Sequence, residues 1–508
     1  MTLSKSSLHL VASVFVCALI APCASAADLL LRNVVIYDGT GSKPFSGDVR
    51  IRGERIVEVG KHLKASPGDT VRDEHGLALA PGFIDMHSHA DEQILQDLDA
   101  ENVTRQGVTT VVVGQDGGSM YPLAEFLSKL ENAHPALNVA SMAGHGTLRE
   151  HGMDQKNPLR ASTPEELAKM KQLLTQELQS GAFGLSTGLE YDPGHFATTE
   201  EVIELSKIAG AAGGFYISHV RDEGNAVFDS FNEILQIGTS AHLPVEITHI
   251  KLATPSVWHS TAKVRALFDQ ARKQGVTLWA DVYPYTFWAS NARVILLDRD
   301  YANPQKVSQA LADNGGPDRI RFTAYPPDSS IEGKTLSEVG RLWQMTPVDA
   351  YIKILQETMP PKPETSIMGE SMDEDDVRWF IAQPEITFCT DGELHGKHPR
   401  SAGSFPRILG RYVREEKALS LELAIHKMTE LAAQHLGLKD RGKIAPGFIA
   451  DLVVFDPAAV LDGSKVGDAE APPKGIPEVL VSGTFVVDAG KVTGAHPGKV
   501  LRHTPGIR

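Results

Sequence analysis

The chain has 508 residues, 42% hydrophobic and 22% charged, which supplies ample apolar material for a large soluble core. Its net charge is −15 and it has no basic cluster, which argues against nucleic acid and anionic membrane surfaces as partners. Past residue 26 no segment is apolar for long enough to span a bilayer.

Residues 1–26 read as a secretory signal: Lys5 gives the positive start, Leu10 to Ala21 the short apolar region, and Ala24-Ser25-Ala26 the small-residue cleavage site. The expectation is an exported, periplasmic or secreted protein beginning at Ala27. Ile20-Ala21-Pro22-Cys23 resembles a lipoprotein cleavage site only loosely, so anchoring through Cys23 is the minority reading. Cleavage removes Cys17 and Cys23, leaving Cys389 as the one thiol and no intramolecular disulfide.

Residues 27–80 look like short strands separated by turns. Leu29 to Tyr37 precedes Asp38-Gly39-Thr40-Gly41, and Val49-Arg50-Ile51-Arg52 alternates before Gly53-Glu54 and Arg55 to Val59. The same texture returns over 437–508, in Asp451 to Asp456, Val479-Leu480-Val481, Thr484 to Val487 and Lys491-Val492-Thr493. Neither piece could bury a core alone, so the two are expected to pair into one small β-sandwich domain.

Between them, over 81–436, strands alternate with helical stretches such as Pro164–Leu178, Thr199–Ala211 and Leu421–Leu436. Thr163 and Glu166 have capping-box spacing at the start of the first. The predicted strands are Gly82–Met86, Val108–Gly114, Asn138–Ala143, Gly184–Ser186, Phe215–Ser218, Val245–Thr248, Thr277–Val282 and Ile386–Thr390. Eight parallel strands in this order predict an α/β fold of the (β/α)8 TIM-like barrel type. The interval from about 287 to 383 is too long for a connection and predicts an inserted lid subdomain.

Barrel enzymes place their sites at the C-terminal strand ends. Those ends carry His87 and His89, then Asp116, His145, Thr187, His219, His249, Tyr283 and Asp391. In Asp85-Met86-His87-Ser88-His89, residues i and i+2 share a face, so both imidazoles converge as metal ligands do. His219 and His249 stand at the same relative place in adjacent units. Asp391 reads either as a turn aspartate or as a carboxylate that moves a proton between water and a leaving amine. His145, in Gly144-His145-Gly146, either hydrogen-bonds an oxyanion or orders a glycine-rich loop. His9, His242, His398 and His496 have no comparable setting.

With these residues in place, the chain resembles the amidohydrolase superfamily and, within it, the N-acyl-D-amino-acid deacylases. The resemblance runs through Pro81 to Asp91, Gly107 to Gly114, Gly181 to Leu189, Asp281 to Tyr285, Thr390-Asp391-Gly392, Phe405 to Gly410 and Gly442 to Val453. It implies a zinc-dependent barrel with one or two metal ions per chain. His87, His89 and Asp391 would bind one metal, with Asp391 also the general acid/base, and His219 and His249 a second. The remaining family ligand is a cysteine in Gly-Asn-Cys-Gly, where this chain has Gly114-Gln115-Asp116-Gly117. Either Asp116 bridges two ions as a harder ligand, or one metal suffices.

Arg221, Lys251 and Tyr283 match the positions that hold the substrate's α-carboxylate in that family, and Arg400 is a weaker candidate. A carboxylated Lys251 bridging metals is the minority alternative. The expected activity is hydrolysis of the amide of an N-acyl-D-amino acid. The rivals are a dipeptidase or cyclic-amide hydrolase on the same scaffold, and a periplasmic binding protein that has lost catalysis.

Overall fold

The computed structural model describes residues 27–506. Residues 1–26, where the sequence reading expects an export signal and which carry Cys17 and Cys23, lie outside the described residues.

Eight parallel strands form the barrel: Phe83–Asp85, Val108–Val113, Asn138–Ser141, Gly184–Gly188, Phe215–His219, Val245–Ile247, Leu278–Val282 and Ile386–Phe388. Each falls on a segment where the sequence predicts one. The second shows why: Val108-Thr-Thr-Val-Val-Val113 is β-branched throughout and buried along its whole length, as a strand covered on both faces requires. The ring closes between the last strand and the first. Asp391 N–H donates to the His87 carbonyl at 2.8 Å, and His89 N–H to the Gly392 carbonyl at 2.9 Å. One storey lower, the buried Asp85 carboxylate accepts the Thr390 N–H at 2.8 Å and its hydroxyl at 2.5 Å. That seam ties the two catalytic-end loops to a single carboxylate.

The connecting helices start and stop where local chemistry says they should. Pro164–Ser180 begins with a complete Thr163/Glu166 capping box and ends at Gly181, whose φ of 115° suits only glycine. The strands pack closely enough that small residues are obligatory. A Cβ on Gly184 would lie 1.9 Å from the Phe215 carbonyl oxygen.

The terminal segments share a nine-stranded sheet. Ala78–Pro81, which leads into the first barrel strand, pairs antiparallel with Leu452–Phe455, with Val453 opposite Ala80. The insertion is a separate small layer with its own core. Phe287–Asn291, Ile320–Ala324 and Ser366–Glu370 make an antiparallel sheet, on which Pro304–Asp313, Leu336–Trp343 and Pro347–Glu357 pack. The helix Glu374–Ala382 belongs to the barrel instead, because its buried Val377, Phe380 and Ile381 join the barrel core.

Candidate active site

A cavity of about 840 Å³ opens at the C-terminal ends of the strands. Its floor holds the predicted ligands. His87 Nε2 and His89 Nε2 are 3.3 Å apart. Asp391 Oδ1 lies 3.5 and 3.3 Å from them, and Asp116 Oδ1 and Oδ2 lie 3.5 and 3.4 Å from them respectively. Metal–ligand bonds of about 2.0–2.1 Å in a tetrahedron separate the donors by about 3.3 Å, so these four side chains fit a zinc-sized ion. His249 Nε2 stands 3.5 Å from Asp116 Oδ1 and 3.1 Å from His219 Nδ1. Asp116 therefore touches both halves of the cluster, as a bridging ligand would. Its Oδ1 is buried without a hydrogen-bond partner, an unsatisfied lone pair of the kind a metal ligand offers.

The local backbone is bent to bring these groups inward. Asp116, His249 and Asp391 have φ of 52°, 32° and 49°, a left-handed conformation that non-glycine residues adopt at a cost of about 1–3 kcal/mol. Gly188 makes room for the Asp116 loop, since a Cβ there would sit 2.2 Å from the Asp116 carbonyl oxygen. Electrostatics match the geometry. Burial works against a charged His89, but hydrogen bonds and charge from Asp116 and Asp391 outweigh it and hold the imidazole well above its ordinary range. Burial likewise opposes the Asp391 carboxylate, and the Arg400 guanidinium with the neighbouring histidines overcomes it and holds the group below the carboxylate range. The floor is a negative well that keeps positive charge.

Above the donors, Arg400 Nη1 lies 2.5 Å from Asp391 Oδ2, and its guanidinium stands 4.9 Å from the Tyr283 ring centroid. Lys251 Nζ is 5.7 Å from the same ring centroid. Tyr283 Oη is buried, lacks a partner and belongs to the cavity wall. These three groups converge on one side of the donor cluster.

The structure does not bring Arg221 or His145 into the cavity. Arg221 forks onto Glu233 at 3.0 and 2.8 Å and donates to the His195 carbonyl. The fifth strand ends at His219, so the two-residue offset to Arg221 carries no strand parity. His145 opens the helix His145–Gly152 and is fully buried, with Nε2 2.9 Å from Glu201 Oε1 beside Arg149. Its contact ties the helix His145–Gly152 to the helix Thr199–Ala211, away from the cavity.

Two carboxylates escaped the sequence reading. Glu190 Oε2 is 2.7 Å from His219 Nε2. Glu223 Oε1 is 3.0 Å from His249 Nδ1 and 2.6 Å from Lys251 Nζ. Glu190 stands just beyond the strand Gly184–Gly188, a signal of the same kind as those used for other strand ends. Glu223 sits in a loop acid pair, Asp222-Glu223, that nothing in sequence separates from a solvated turn.

A barrel whose first, fifth, sixth and eighth strands deliver histidines and an aspartate to one cation-sized floor is a metallohydrolase scaffold. The amidohydrolase family model matches residues 70–316 and 338–487. A D-aminoacylase of Alcaligenes xylosoxydans xylosoxydans is 35% identical over 94% of this chain and 98% of its own. An N-acyl-D-glutamate deacylase from Bordetella bronchiseptica was solved with zinc and a phosphonate mimic of the tetrahedral intermediate. It superposes with a TM-score of 0.85 at 32% identity, covering 94% of this chain and 99% of that one. A D-aminoacylase structure concerned with a binuclear metal centre, with activation by one metal and attenuation by the second, gives 0.82 at 33% identity, covering 93% and 99%. The chain belongs to the amidohydrolase family, in the branch of the N-acyl-D-amino-acid deacylases.

Proposed function

We propose that this chain hydrolyses the amide bond of N-acyl-D-amino acids, giving a free D-amino acid and a carboxylate. The observation that carries the reading is the four-donor cluster of His87, His89, Asp116 and Asp391 set directly below Lys251, Tyr283 and Arg400. Relatives named for this activity along nearly their whole length support it.

Zinc would be held by His87, His89, Asp116 and Asp391, and a second ion by Asp116, His219 and His249. When bound, it supplies Lewis-acid activation of water and of the acyl carbonyl. The residues do the rest. Lys251, Arg400 and Tyr283 Oη converge where an α-carboxylate needs two cations and a hydroxyl donor. Arg400 at rest is engaged by Asp391 Oδ2, so an arriving substrate carboxylate competes for the guanidinium and frees that oxygen. Asp391 then takes a proton from the attacking water and passes it to the leaving amine. The insertion supplies Trp288, Val294, Ile295 and Leu296 to the cavity wall, which excludes water and cradles the substrate's side chain.

Residues 1–26 are proposed as a cleaved export signal, tested by N-terminal sequencing of the mature protein, with Ala27 expected first. The activity is tested on a panel of N-acetyl-D- and N-acetyl-L-amino acids, dipeptides and hydantoins, with metal counted per chain. Turnover of the D-substrates, lost on chelation and restored by zinc, is expected. Inactivity on every N-acyl amino acid with metal bound would sink the proposal. A chain that binds no transition metal would instead be the non-catalytic binding protein.

A further inference from the structure

His219 and His249 each turn one ring nitrogen toward the Asp116 side of the site and the other toward a carboxylate. For His219 the outer partner is Glu190 Oε2, at 2.7 Å from Nε2, which leaves Nδ1 facing His249. For His249 the outer nitrogen is Nδ1, and it has two suitors. Glu223 Oε1 lies at 3.0 Å and Lys251 Nζ at 2.6 Å, while the lysine is itself 2.6 Å from Glu223 Oε1. The ammonium thus sits beside the contact between His249 Nδ1 and Glu223 and competes with Glu223 for that nitrogen, while Nε2 faces Asp116 and His219.

A neutral imidazole has one N–H and one lone pair. If Nδ1 carries the hydrogen and donates it to Glu223, Nε2 offers its lone pair toward Asp116 and His219. If Lys251 donates to Nδ1 instead, the ring hydrogen moves to Nε2 and points into the cation position. Glu223 decides between the two, both by accepting from the ring and by drawing the ammonium onto itself. Glu190 faces no such rival, because no cation contends for His219 Nε2 among the described contacts.

We propose that Glu190 and Glu223 are positioning residues that fix the ring tautomers of His219 and His249 for a second cation, and that Glu223 does so against competition from Lys251. Carboxylate–histidine pairs behind a metal have this effect in general, and losing the outer partner weakens affinity about 10–100-fold. The inference rests on the reading above that Asp116, His219 and His249 hold a second ion.

The test uses the full mature chain, stripped with chelator and dialysed against graded Zn²⁺ or Co²⁺. Metal per chain and the visible absorption of the cobalt form are recorded together. Wild type is expected to take up two ions. Glu223→Gln and Glu190→Gln should keep the first and bind the second about 10–100-fold more weakly. Adding Lys251→Met to Glu223→Gln should recover about tenfold or more of that loss, because the competing donor is gone; a merely structural role for Glu223 would give no rescue. Second-site binding equal to wild type in both single variants, or a double variant as weak as Glu223→Gln alone, overturns the proposal. If Glu223→Gln does not fold, as judged by circular dichroism, the Glu190→Gln titration decides. A wild type with a single ion also overturns the inference, while the deacylase reading still stands or falls on the substrate panel. Two ions with no turnover does the reverse.

Discussion

Arg221 follows His219 by two residues and Lys251 follows His249 by two, yet only Lys251 reaches the cavity. Period-two parity holds along a strand, and both residues lie past the strand ends, in loops that take their own course. Their energetics differ accordingly. Arg400→Met removes a charged group proposed to hold the substrate carboxylate, and charge-assisted hydrogen bonds contribute about 1.5–3 kcal/mol. KM for an N-acyl-D-amino acid should therefore rise about 10–100-fold. Arg221→Met breaks the fork onto Glu233 and the bond to the His195 carbonyl, both outside the cavity, so KM should stay within about twofold while the melting temperature falls, a loss of about 1 kcal/mol. Steady-state kinetics on the two variants side by side separate these outcomes. If Arg221→Met raises KM as Arg400→Met does, the placement of the carboxylate pocket is wrong.

At the scale of elements, the eight strands were readable because buried parallel strands are short β-branched runs that end in polar residues. The insertion's existence followed from length alone, but its far boundary did not. Glu374–Ala382 has an amphipathic pattern that fits either layer, and only packing assigns it to the barrel. The metal floor was legible because histidines at strand ends recur, whereas Glu190 and Glu223 act through partners far away in sequence. The insertion predicts specificity. Among the cavity's cations Lys251 faces Glu223 and Arg400 faces Asp391, while Lys306 is tied to Asp298 and Asp300 at 2.7 and 3.0 Å. Among the described residues no further lining cation is left for an acidic side chain, and the wall around Trp288 and Ile295 is apolar. N-acetyl-D-leucine should exceed N-acetyl-D-glutamate in kcat/KM by about tenfold or more, since an unpaired buried charge costs several kcal/mol. A preference for the glutamate substrate would refute this. The cluster of His145, Arg149 and Glu201 carries a pH signature. Burial would raise the Glu201 carboxyl, but His145 and Arg149 outweigh it and hold it at about 2, against 4.5 for the free group. Its contribution is present above pH 4.5 and is lost as pH falls toward 2, on the order of 3 kcal/mol. Acid unfolding of Glu201→Gln should lack that component, and an unchanged acid limb would show that the cluster contributes little.

Across the whole molecule, the chain's two ends are joined by more than backbone pairing. Burial and the neighbouring Glu74 push the Glu478 carboxyl up to about 7, with Arg72 only partly offsetting them. A raised carboxyl stabilises the fold below its free value of 4.5 and loses that contribution as pH rises through 7. Glu478→Gln should therefore raise the melting temperature at pH 8 and leave it unchanged at pH 5, and an equal effect at both would show that the Glu478 carboxyl is not raised. The pairing of Ala78–Pro81 with Leu452–Phe455 has a consequence for how the molecule comes into being. The strand that feeds the barrel's first segment must wait, with one edge bare, until nearly the entire polypeptide has been synthesised. Contacts spanning so much sequence form late and slowly. A truncation before residue 452 leaves a hydrophobic edge open to any other strand it meets.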